Sequence, residues 1–324
     1  MIIAGERSKA ASGKTYEVRN PATGDVVDVV PAGGPADVDK AAQAAAKTFA
    51  TWSKLAPAKR AEILHKAAHH MLGKVEEIAP ILTKEQGKTL LESRLEAQRF
   101  GENIAWFADL ADKVHGQHVS LPDTTTYGLV IRMPIGVCGA IVPWNFPLTL
   151  AANKVAPAIA AGNTVVLKPA STTPLSTLAC IEALIEGGLP EGVVNVVLGT
   201  ATGEAMVEHP LIRKIALTGS TPTGKKVMAR AAEGLKKINA RARRQRPLHR
   251  PRRCRPRGRG SRHLCGAVLQ LRAGVPRGQA SLRARGRLRG VAGEACRARC
   301  QAEAGQRPGQ GQPDGADAQR GAES

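Results

Sequence analysis

The sequence has few aromatic residues, few cysteines and no apolar run long enough to span a membrane. Its 324 residues include three Trp, two Tyr, four Phe and six Cys. The cysteines do not have the spacing of a zinc site, so neither a bound metal nor a disulfide framework is expected. The first residues, MIIAGERSKAASGK, lack the apolar core of a secretory signal. These absences predict a cytoplasmic protein without a membrane span.

The last quarter of the chain lacks most of the residues from which a core is built. From Ala240 to Ser324 there is no Lys, Ile, Phe, Tyr, Trp, Met, Asn or Thr. This stretch has 21 basic residues, all Arg, and five acidic ones, whereas residues 1–239 have 26 basic and 22 acidic residues. Most of the net charge of +20 therefore lies in a segment that cannot form an ordinary core. We predict a folded region over residues 1–239 and a disordered tail over residues 240–324.

The folded region begins with a predicted hairpin and a set of helices. Residues 14–31 contain two β-rich runs around the turn signal Asn20-Pro21-Ala22-Thr23-Gly24. From Asp37 to residue 116, apolar residues recur at spacings of three and four, which predicts amphipathic helices, with Asp37 and Pro57 near the starts of two of them. The next stretch, TTYGLVIRMPIGVCGAIVPW, predicts an extended ribbon that leads into a buried strand.

Residues 139–234 alternate between short apolar runs and helical segments. The runs GAIVPW, NTVVLKP, VVNVVLG and KIALTG are each followed by a stretch with helical periodicity. Short apolar strands separated by helices are typical of a parallel sheet that is covered on both faces. The sequence therefore predicts an α/β fold with a doubly wound parallel sheet.

Three segments follow apolar strands, at the strand ends where open α/β sheets bind ligands. They are Val142-Pro143-Trp144-Asn145-Phe146-Pro147, Lys168-Pro169-Ala170-Ser171 and Thr218-Gly219-Ser220-Thr221-Pro222-Thr223-Gly224. The last one opens a helix whose free N–H groups can hold a phosphate. It is not the GxGxxG fingerprint, so by itself it is weak support for a cofactor site.

In this order and spacing, PWNFP, KPA and TGSTxxG resemble the aldehyde dehydrogenase superfamily, from about Tyr16 to Asn239. The resemblance implies a Rossmann-like cofactor domain that binds NADP or NAD. It implies that Asn145 donates its side-chain amide to the oxyanion formed on the aldehyde. Lys168 would bind the adenosine ribose, and Ser220 with the helix after it would bind the pyrophosphate. The other implied cofactor-binding residues are Ile141, Pro143, Trp144, Ala170, Ser171, Gly203, Gly219 and Thr223.

Ser171 departs from the family pattern. That position is often Glu, which accepts hydrogen bonds from the ribose 2′-hydroxyl. Without the carboxylate there is no repulsion of a 2′-phosphate, so NADP should be tolerated. The segment KPASTTPLS is similar to the NADP-using succinate-semialdehyde dehydrogenases, which implies a semialdehyde-like substrate.

Several of these residues also have plain structural interpretations. Asn145 is alternatively a turn residue held by its own backbone, and Lys168 a solvated strand end. His65, His69 and His70 are interpreted as helix-face residues, because no further ligands stand at usable spacing. Cys138 lies in an apolar run and is interpreted as a packed thiol rather than a nucleophile.

The family pattern stops between Asn239 and Ala240. A member should continue with LELGG, whose Glu is the general base, and later with a GQxC-like segment whose Cys is the nucleophile; neither is present. When permissible codons for the tail are read one base later, residues 240–260 decode as LELGGNDPFIVLDDADVEAAV. Residues further along the tail give other family-like segments in family order. One inserted base after the Asn239 codon accounts for the whole tail.

The chain is therefore predicted to retain the cofactor-binding region of an oxidoreductase that converts an aldehyde to a carboxylic acid, and to lack the catalytic domain and activity. Residues 124–137 would be the ribbon through which intact members form homo-oligomers, a role that is doubtful here. Two alternatives remain: nonspecific nucleic-acid binding by the Arg-rich tail, and a cofactor-binding pseudoenzyme. The tail has no aromatic residue for base stacking, which argues against nucleic acid.

Overall fold

The computed structural model describes residues 1–123 and 125–243. The helices of this part are α1 (Pro35–Trp52), α2 (Pro57–Gly73), α3 (Val75–Gln86), α4 (Leu90–Asp109), α5 (Pro147–Ala160), α6 (Leu175–Glu186), α7 (Thr202–Glu208) and α8 (Thr221–Glu233). The strands are β1 (Ile2–Ile3), β2 (Glu6–Arg7), β3 (Thr15–Arg19), β4 (Val26–Pro31), β5 (Gln117–Val119), β6 (Gly128–Val130), β7 (Val137–Ile141), β8 (Thr164–Lys168), β9 (Val194–Val196), β10 (Ile212–Ser220) and β11 (Lys237–Arg243). None of these helices is both long and apolar enough to cross a membrane.

A seven-stranded sheet with the order β11-β10-β7-β8-β9-β1-β2 forms the centre of the fold. The strands from β11 to β9 are parallel, and β1 and β2 add an antiparallel edge. Adjacent residues of β8 enter different cores: Val165 and Leu167 pack with α2, α4, α5 and α6, whereas Val166 packs with α1, α7 and α8. The predicted doubly wound α/β fold is confirmed.

The order of the strands reverses at β7. The chain adds β8 and β9 on one side of β7, then returns to add β10 and β11 on the other. The neighbouring strands β7 and β10 therefore send their crossovers in opposite directions, through α5 towards β8 and through α8 towards β11, which opens a crevice at their carboxyl ends. Two of the three predicted segments follow β7 and β10 at this switch point, and the third follows β8, which lies next to β7.

The predicted hairpin is confirmed, since β3 and β4 are antiparallel partners. The stretch from residue 56 to residue 90 has continuous helical periodicity in the sequence, but it forms two helices because the chain turns at Lys74 between α2 and α3. Sequence analysis missed the β1–β2 hairpin, whose turn residues Ala4 and Gly5 both have positive φ, at 52° and 86°. Its two-residue strands are too short to show alternation.

Two boundaries differ from those predicted. The ribbon is formed by β5 and β6, so it begins before residue 124, and the chain from residue 131 to residue 136 is not a strand. The last strand, β11, runs through the predicted boundary at Asn239 and ends at Arg243. Residues 244–324 of the predicted tail lie outside the described residues.

Asn163 fixes the entry of the chain into β7. Its side-chain oxygen accepts hydrogen bonds from the backbone N–H groups of Ile135 (2.7 Å) and Gly136 (3.1 Å). Its amide nitrogen donates to the carbonyl of Ala158 at 3.1 Å. Since Asn163 is buried, removal of the side chain leaves the N–H groups of Ile135 and Gly136 without this partner, whereas the carbonyl of Ala158 keeps a bond of 2.9 Å from the backbone N–H of residue 163.

We predict that Asn163→Ala lowers the free energy of unfolding by about 2–4 kcal/mol, measured by urea denaturation. Asn153→Ala is the matched control, because Asn153 is exposed on α5 and accepts only a long bond of 3.4 Å from Asn103. The control should stay within about 0.5 kcal/mol of the parent. Equal losses in both variants would contradict the assignment.

Candidate functional site at the carboxyl edge of the sheet

The residues predicted to bind the cofactor lie at or just beyond the carboxyl ends of β7, β8, β9 and β10. Residues 142–146 connect β7 to α5, and residues 169–174 connect β8 to α6. The third segment is not a loop, because β10 continues through Thr218, Gly219 and Ser220 and α8 begins at Thr221. Gly203 lies in the first turn of α7, after β9. Ile141 ends β7, Pro143 and Trp144 follow it, and Thr223 lies in the first turn of α8.

The start of α8 is suited to an anion. Ser220 is the N-cap, and its hydroxyl accepts a hydrogen bond from the backbone N–H of Thr223 at 3.3 Å. The Ser220 and Thr223 hydroxyls are also 2.9 Å apart. The first turn has no acidic residue, so the positive end of the helix dipole is not neutralised locally. Ser220 and Thr223 are exposed and can reach a ligand.

Lys168 connects three parts of the edge. Its carbonyl accepts a hydrogen bond from the backbone N–H of Val142 at 3.1 Å, which joins the end of β8 to the chain after β7. Its ammonium group donates to the carbonyl of Pro169 at 3.4 Å. A Cβ atom on Gly203 would lie 3.4 Å from Cε of Lys168, so Gly203 leaves the stem of this lysine uncovered on that side. Burial lowers the pKa of Lys168, which is inconsistent with a fully solvated strand end.

Asn145 lies in the chain between β7 and α5 and is half-buried. Its backbone carbonyl accepts a hydrogen bond of 3.4 Å from the side-chain amide of Gln86 on α3. Its own side-chain amide has no hydrogen-bond partner among the described residues, so nothing there supports a turn residue held by its backbone. The neighbouring Trp144 is 59% exposed and borders the same crevice.

Ser171 is next to a tyrosine that sequence analysis did not single out. Tyr16 projects from β3, and its buried hydroxyl lies beside Ser171 without completing a hydrogen bond in the described part of the chain. Burial raises the pKa of Tyr16 to about 12, so its hydroxyl stays protonated at neutral pH and is available as a donor. Two hydroxyl groups therefore lie at the position where the family pattern often has the carboxylate of a Glu.

Lys154 was also missed, because its position on α5 shows only ordinary helical periodicity. Its ammonium group donates to the hydroxyl of Thr218 at 2.6 Å, which brings α5 to the carboxyl end of β10. Burial, and secondarily the charge of Arg241, lower the pKa of Lys154 to about 8. The positive charges of Lys154 and Arg241 therefore lie together at this edge, since Arg241 is paired in register with Thr218.

The remaining histidines and cysteines have structural surroundings. His65 contacts Asp109 at 2.9 Å and His70 contacts Glu186 at 3.2 Å, both on helix surfaces. Among residues 1–123 and 125–243, no group of His, Cys, Asp and Glu is arranged to hold a metal ion. Cys138 is buried in β7, and this burial raises the pKa of its thiol to about 11. It is a packed thiol.

The sequence model of the aldehyde dehydrogenase family matches residues 8–242. The chain is 43% identical over 232 residues to the 3-sulfolactaldehyde dehydrogenase of Pseudomonas putida, which covers 71% of this chain and 48% of that protein. It is 39% identical over 240 residues to the NADP(+) succinate-semialdehyde dehydrogenase of Escherichia coli K12, which covers 74% of this chain and 50% of the relative.

Solved structures give the same result. A crystal structure of an E. coli NADP-dependent enzyme superimposes with a TM-score of 0.73 at 39% identity, over 74% of this chain and 50% of that one. PnpE in complex with nicotinamide adenine dinucleotide gives a TM-score of 0.72 at 40% identity, with the same coverage. The chain thus spans about half the length of the curated relatives that it matches.

We predict that Lys154 loses its proton with a midpoint near pH 8, because burial favours the neutral amine and the charged form is lost as the pH rises through that value. A pH titration of the ¹³C-methylated lysines by NMR measures this midpoint. The signal that titrates near pH 8 should be absent from Lys154→Arg and present in the control Lys226→Arg, whose lysine is exposed on α8. Its persistence in Lys154→Arg would contradict the assignment.

Proposed function

The chain belongs to the aldehyde dehydrogenase family, and from that premise we propose that residues 1–239 bind NADP or NAD at the carboxyl edge of the sheet. One observation carries the proposal. The segments around Asn145, Lys168 and Ser220 lie at the carboxyl ends of the adjacent strands β7, β8 and β10, at and beside the switch point between β7 and β10, although they are far apart in the sequence. This is the place at which doubly wound sheets bind dinucleotides.

The residues present fit such a cofactor. A pyrophosphate needs an anion site, and the positive end of α8, which has no acidic residue in its first turn, supplies one with Ser220 and Thr223. An adenosine ribose needs hydrogen-bond donors, and the ammonium group of Lys168 has only a long bond of 3.4 Å to the carbonyl of Pro169 among the described residues. Ile141, Pro143 and Trp144 would line the crevice on the side of β7, while Ala170, Gly203 and Gly219 leave room for the cofactor.

Ser171 favours acceptance of the 2′-phosphate of NADP. Ser171 itself offers a neutral hydroxyl group, with the buried hydroxyl of Tyr16 behind it, and a phosphate meets no carboxylate at this residue. The E. coli relative is named as an NADP(+) enzyme, which agrees with this preference. NAD would also bind, since the partly exposed hydroxyl of Ser171 can accept a hydrogen bond from a ribose 2′-hydroxyl as well.

In an intact member of the family, NAD(P)+ held at this edge would supply the hydride acceptor for the oxidation of an aldehyde and water to a carboxylic acid. The part of this that the chain retains is the amide of Asn145, which would donate a hydrogen bond to the negative oxygen that develops on the aldehyde carbon. A donor placed this way is worth roughly 3–4 kcal/mol in the transition state. The names of the relatives indicate a semialdehyde or another small acidic aldehyde as the substrate class.

We propose that the chain as written does not complete this reaction. The LELGG segment expected from the family would begin at residue 240, so its Glu would lie where Arg241 is. Arg241 lies beside Thr218 and near Lys154, and a guanidinium cannot accept a proton from water at neutral pH. The expected nucleophilic cysteine segment is also absent, which the proposed frameshift after Asn239 explains.

The ribbon of β5 and β6 would serve self-association in an intact member of the family. Leu129 of β6 is 69% exposed, and Tyr127, which directly precedes this strand, is 79% exposed. Exposed apolar strands need a partner to cover them. Nucleic-acid binding by the arginine-rich tail depends on residues outside the described part, and no observation on the described residues favours it.

We predict that the full chain binds NADP and that Ser171→Glu raises the ratio of the Kd for NADP to the Kd for NAD by about tenfold or more, because it adds a carboxylate near the 2′-phosphate. Isothermal titration calorimetry gives both constants. Ser171→Gln is the control, since it adds the same volume without the charge. The idea is wrong if both variants change the ratio equally.

We predict that the purified full chain does not oxidise succinate semialdehyde with NADP, while the same gene with one base removed after the Asn239 codon yields an active enzyme. NADPH formation measured at 340 nm distinguishes the two proteins. Turnover by the unedited chain at a rate like that of the edited one would overturn the proposed loss of activity.

A further inference from the structure

Two buried glutamates from the helical layer bind the first turns of two helices that cover the sheet. Glu85 on α3 is 2% exposed and Glu96 on α4 is 3% exposed. Each accepts hydrogen bonds from backbone N–H groups at the start of another helix. These two helices, α6 and α5, are the ones that follow the chain segments of Lys168 and Asn145.

Glu85 holds the start of α6. Its carboxylate accepts hydrogen bonds from the backbone N–H of Leu175 at 2.7 Å and of Ser176 at 3.0 Å, and from the hydroxyl of Ser176. α6 has no cap of its own, because its N-cap residue is Pro174 and its first turn has no acidic residue. The segment from Lys168 to Pro174 is therefore fixed by β8 at one end and by Glu85 at the other.

Glu96 holds the start of α5 in the same way. It accepts hydrogen bonds from the backbone N–H of Leu148 at 3.0 Å and of Thr149 at 3.1 Å. α5 also lacks a side-chain cap from its own N-cap residue, Phe146. Glu96 is ion-paired with Lys88, whose ammonium group lies 4.7 Å from the centre of the Phe146 ring. The segment that contains Asn145 is thus fixed by β7 at one end and by Glu96 at the other.

We propose that Glu85 and Glu96 are positioning residues, and that each sets one half of the crevice independently of the other. Glu85 places Lys168–Ser171, which contact the adenosine half of the cofactor, and Glu96 places Trp144 and Asn145 near the nicotinamide half. This inference rests on the proposed cofactor site.

The electrostatics agree with a role beyond ordinary capping. Burial raises the pKa of Glu85 to about 7, and the charge of Glu96 adds to this effect. A local Ser or Asp at the N-cap would satisfy the same N–H groups at a lower cost. A carboxylate supplied from another layer instead ties the helix start, and the segment before it, to the position of that layer.

The test compares Glu85→Gln with Glu96→Gln in the full chain, using calorimetry with 2′,5′-ADP and with nicotinamide mononucleotide. A Gln side chain keeps one acceptor oxygen and places an NH2 donor where the other oxygen was. Glu85→Gln therefore loses the bond from Leu175 or the bonds from Ser176, because these groups use different oxygens. Glu96→Gln sets its NH2 group against the N–H groups of Leu148 and Thr149 or against the ammonium group of Lys88, so it weakens this assembly in either orientation. Glu85→Gln should raise the Kd for 2′,5′-ADP about tenfold and change the Kd for nicotinamide mononucleotide less than about twofold. Glu96→Gln should do the reverse.

The fluorescence of Trp144 adds a spectroscopic measurement. A variant that is less stable but still folded would not shift this emission. Glu96→Gln should shift the emission of Trp144, isolated by subtraction of matched Trp144→Phe spectra, and Glu85→Gln should not. The proposal is overturned if both variants raise the Kd values of both ligands to the same extent. It is also overturned if no Kd value rises in either variant. Should Glu85→Gln fail to fold, Ser176→Ala tests the same anchor more mildly.

Hydrogen–deuterium exchange separates this inference from the cofactor proposal. If the parent chain binds neither ligand, the proposed cofactor site fails, but the positioning role is still decided. Exchange should then rise over residues 169–177 in Glu85→Gln alone and over residues 144–150 in Glu96→Gln alone. Equal increases in both segments, or none, would refute it.

Discussion

The fold depends on one constraint: a parallel sheet must be covered by helices on both faces. The connection between parallel strands has to cross from one end of the sheet to the other, and here a helix makes each crossing from β7 to β11. Residues along β8 alternate between the two hydrophobic cores, so neither face of this strand is exposed to solvent. The result is that every crossover begins at the same edge, where the polar residues of β7, β8 and β10 are brought together.

Covering the sheet creates a second requirement, because the start of each helix has backbone N–H groups without partners. Two of these starts, in α5 and α6, are buried where water cannot satisfy them. The structure meets the need with Glu96 and Glu85, carboxylates carried by the helical layer. Buried charge is costly unless it is paired, and Lys88 and the backbone donors provide that pairing. The helical layer is thereby bound to the parts of the chain that form the crevice.

The parallel sheet continues through residues 240–243, beyond the point at which the predicted family pattern stops. Ala240, Arg241 and Ala242 continue the parallel pairing with β10, because backbone hydrogen bonds do not depend on side-chain identity. The side chains at this place do matter for chemistry. Arg241 brings a positive charge next to Lys154. Under the proposed frameshift this is the position of the general base, so the sheet edge would be preserved while the sign of its charge is reversed.

The sequence by itself determined the class of the fold, because short apolar strands that alternate with helices fit only a covered parallel sheet. It also identified the three polar segments, since each directly follows an apolar run. It could not reveal Lys154, Tyr16, Glu85 or Glu96, because their partners lie on other elements: Glu85 binds residues 175 and 176, and Lys154 binds Thr218. Nor could it show the β1–β2 hairpin, whose short strands are specified by the edge of β9. Local periodicity records which face of an element is buried, whereas only tertiary structure decides which buried polar group meets which.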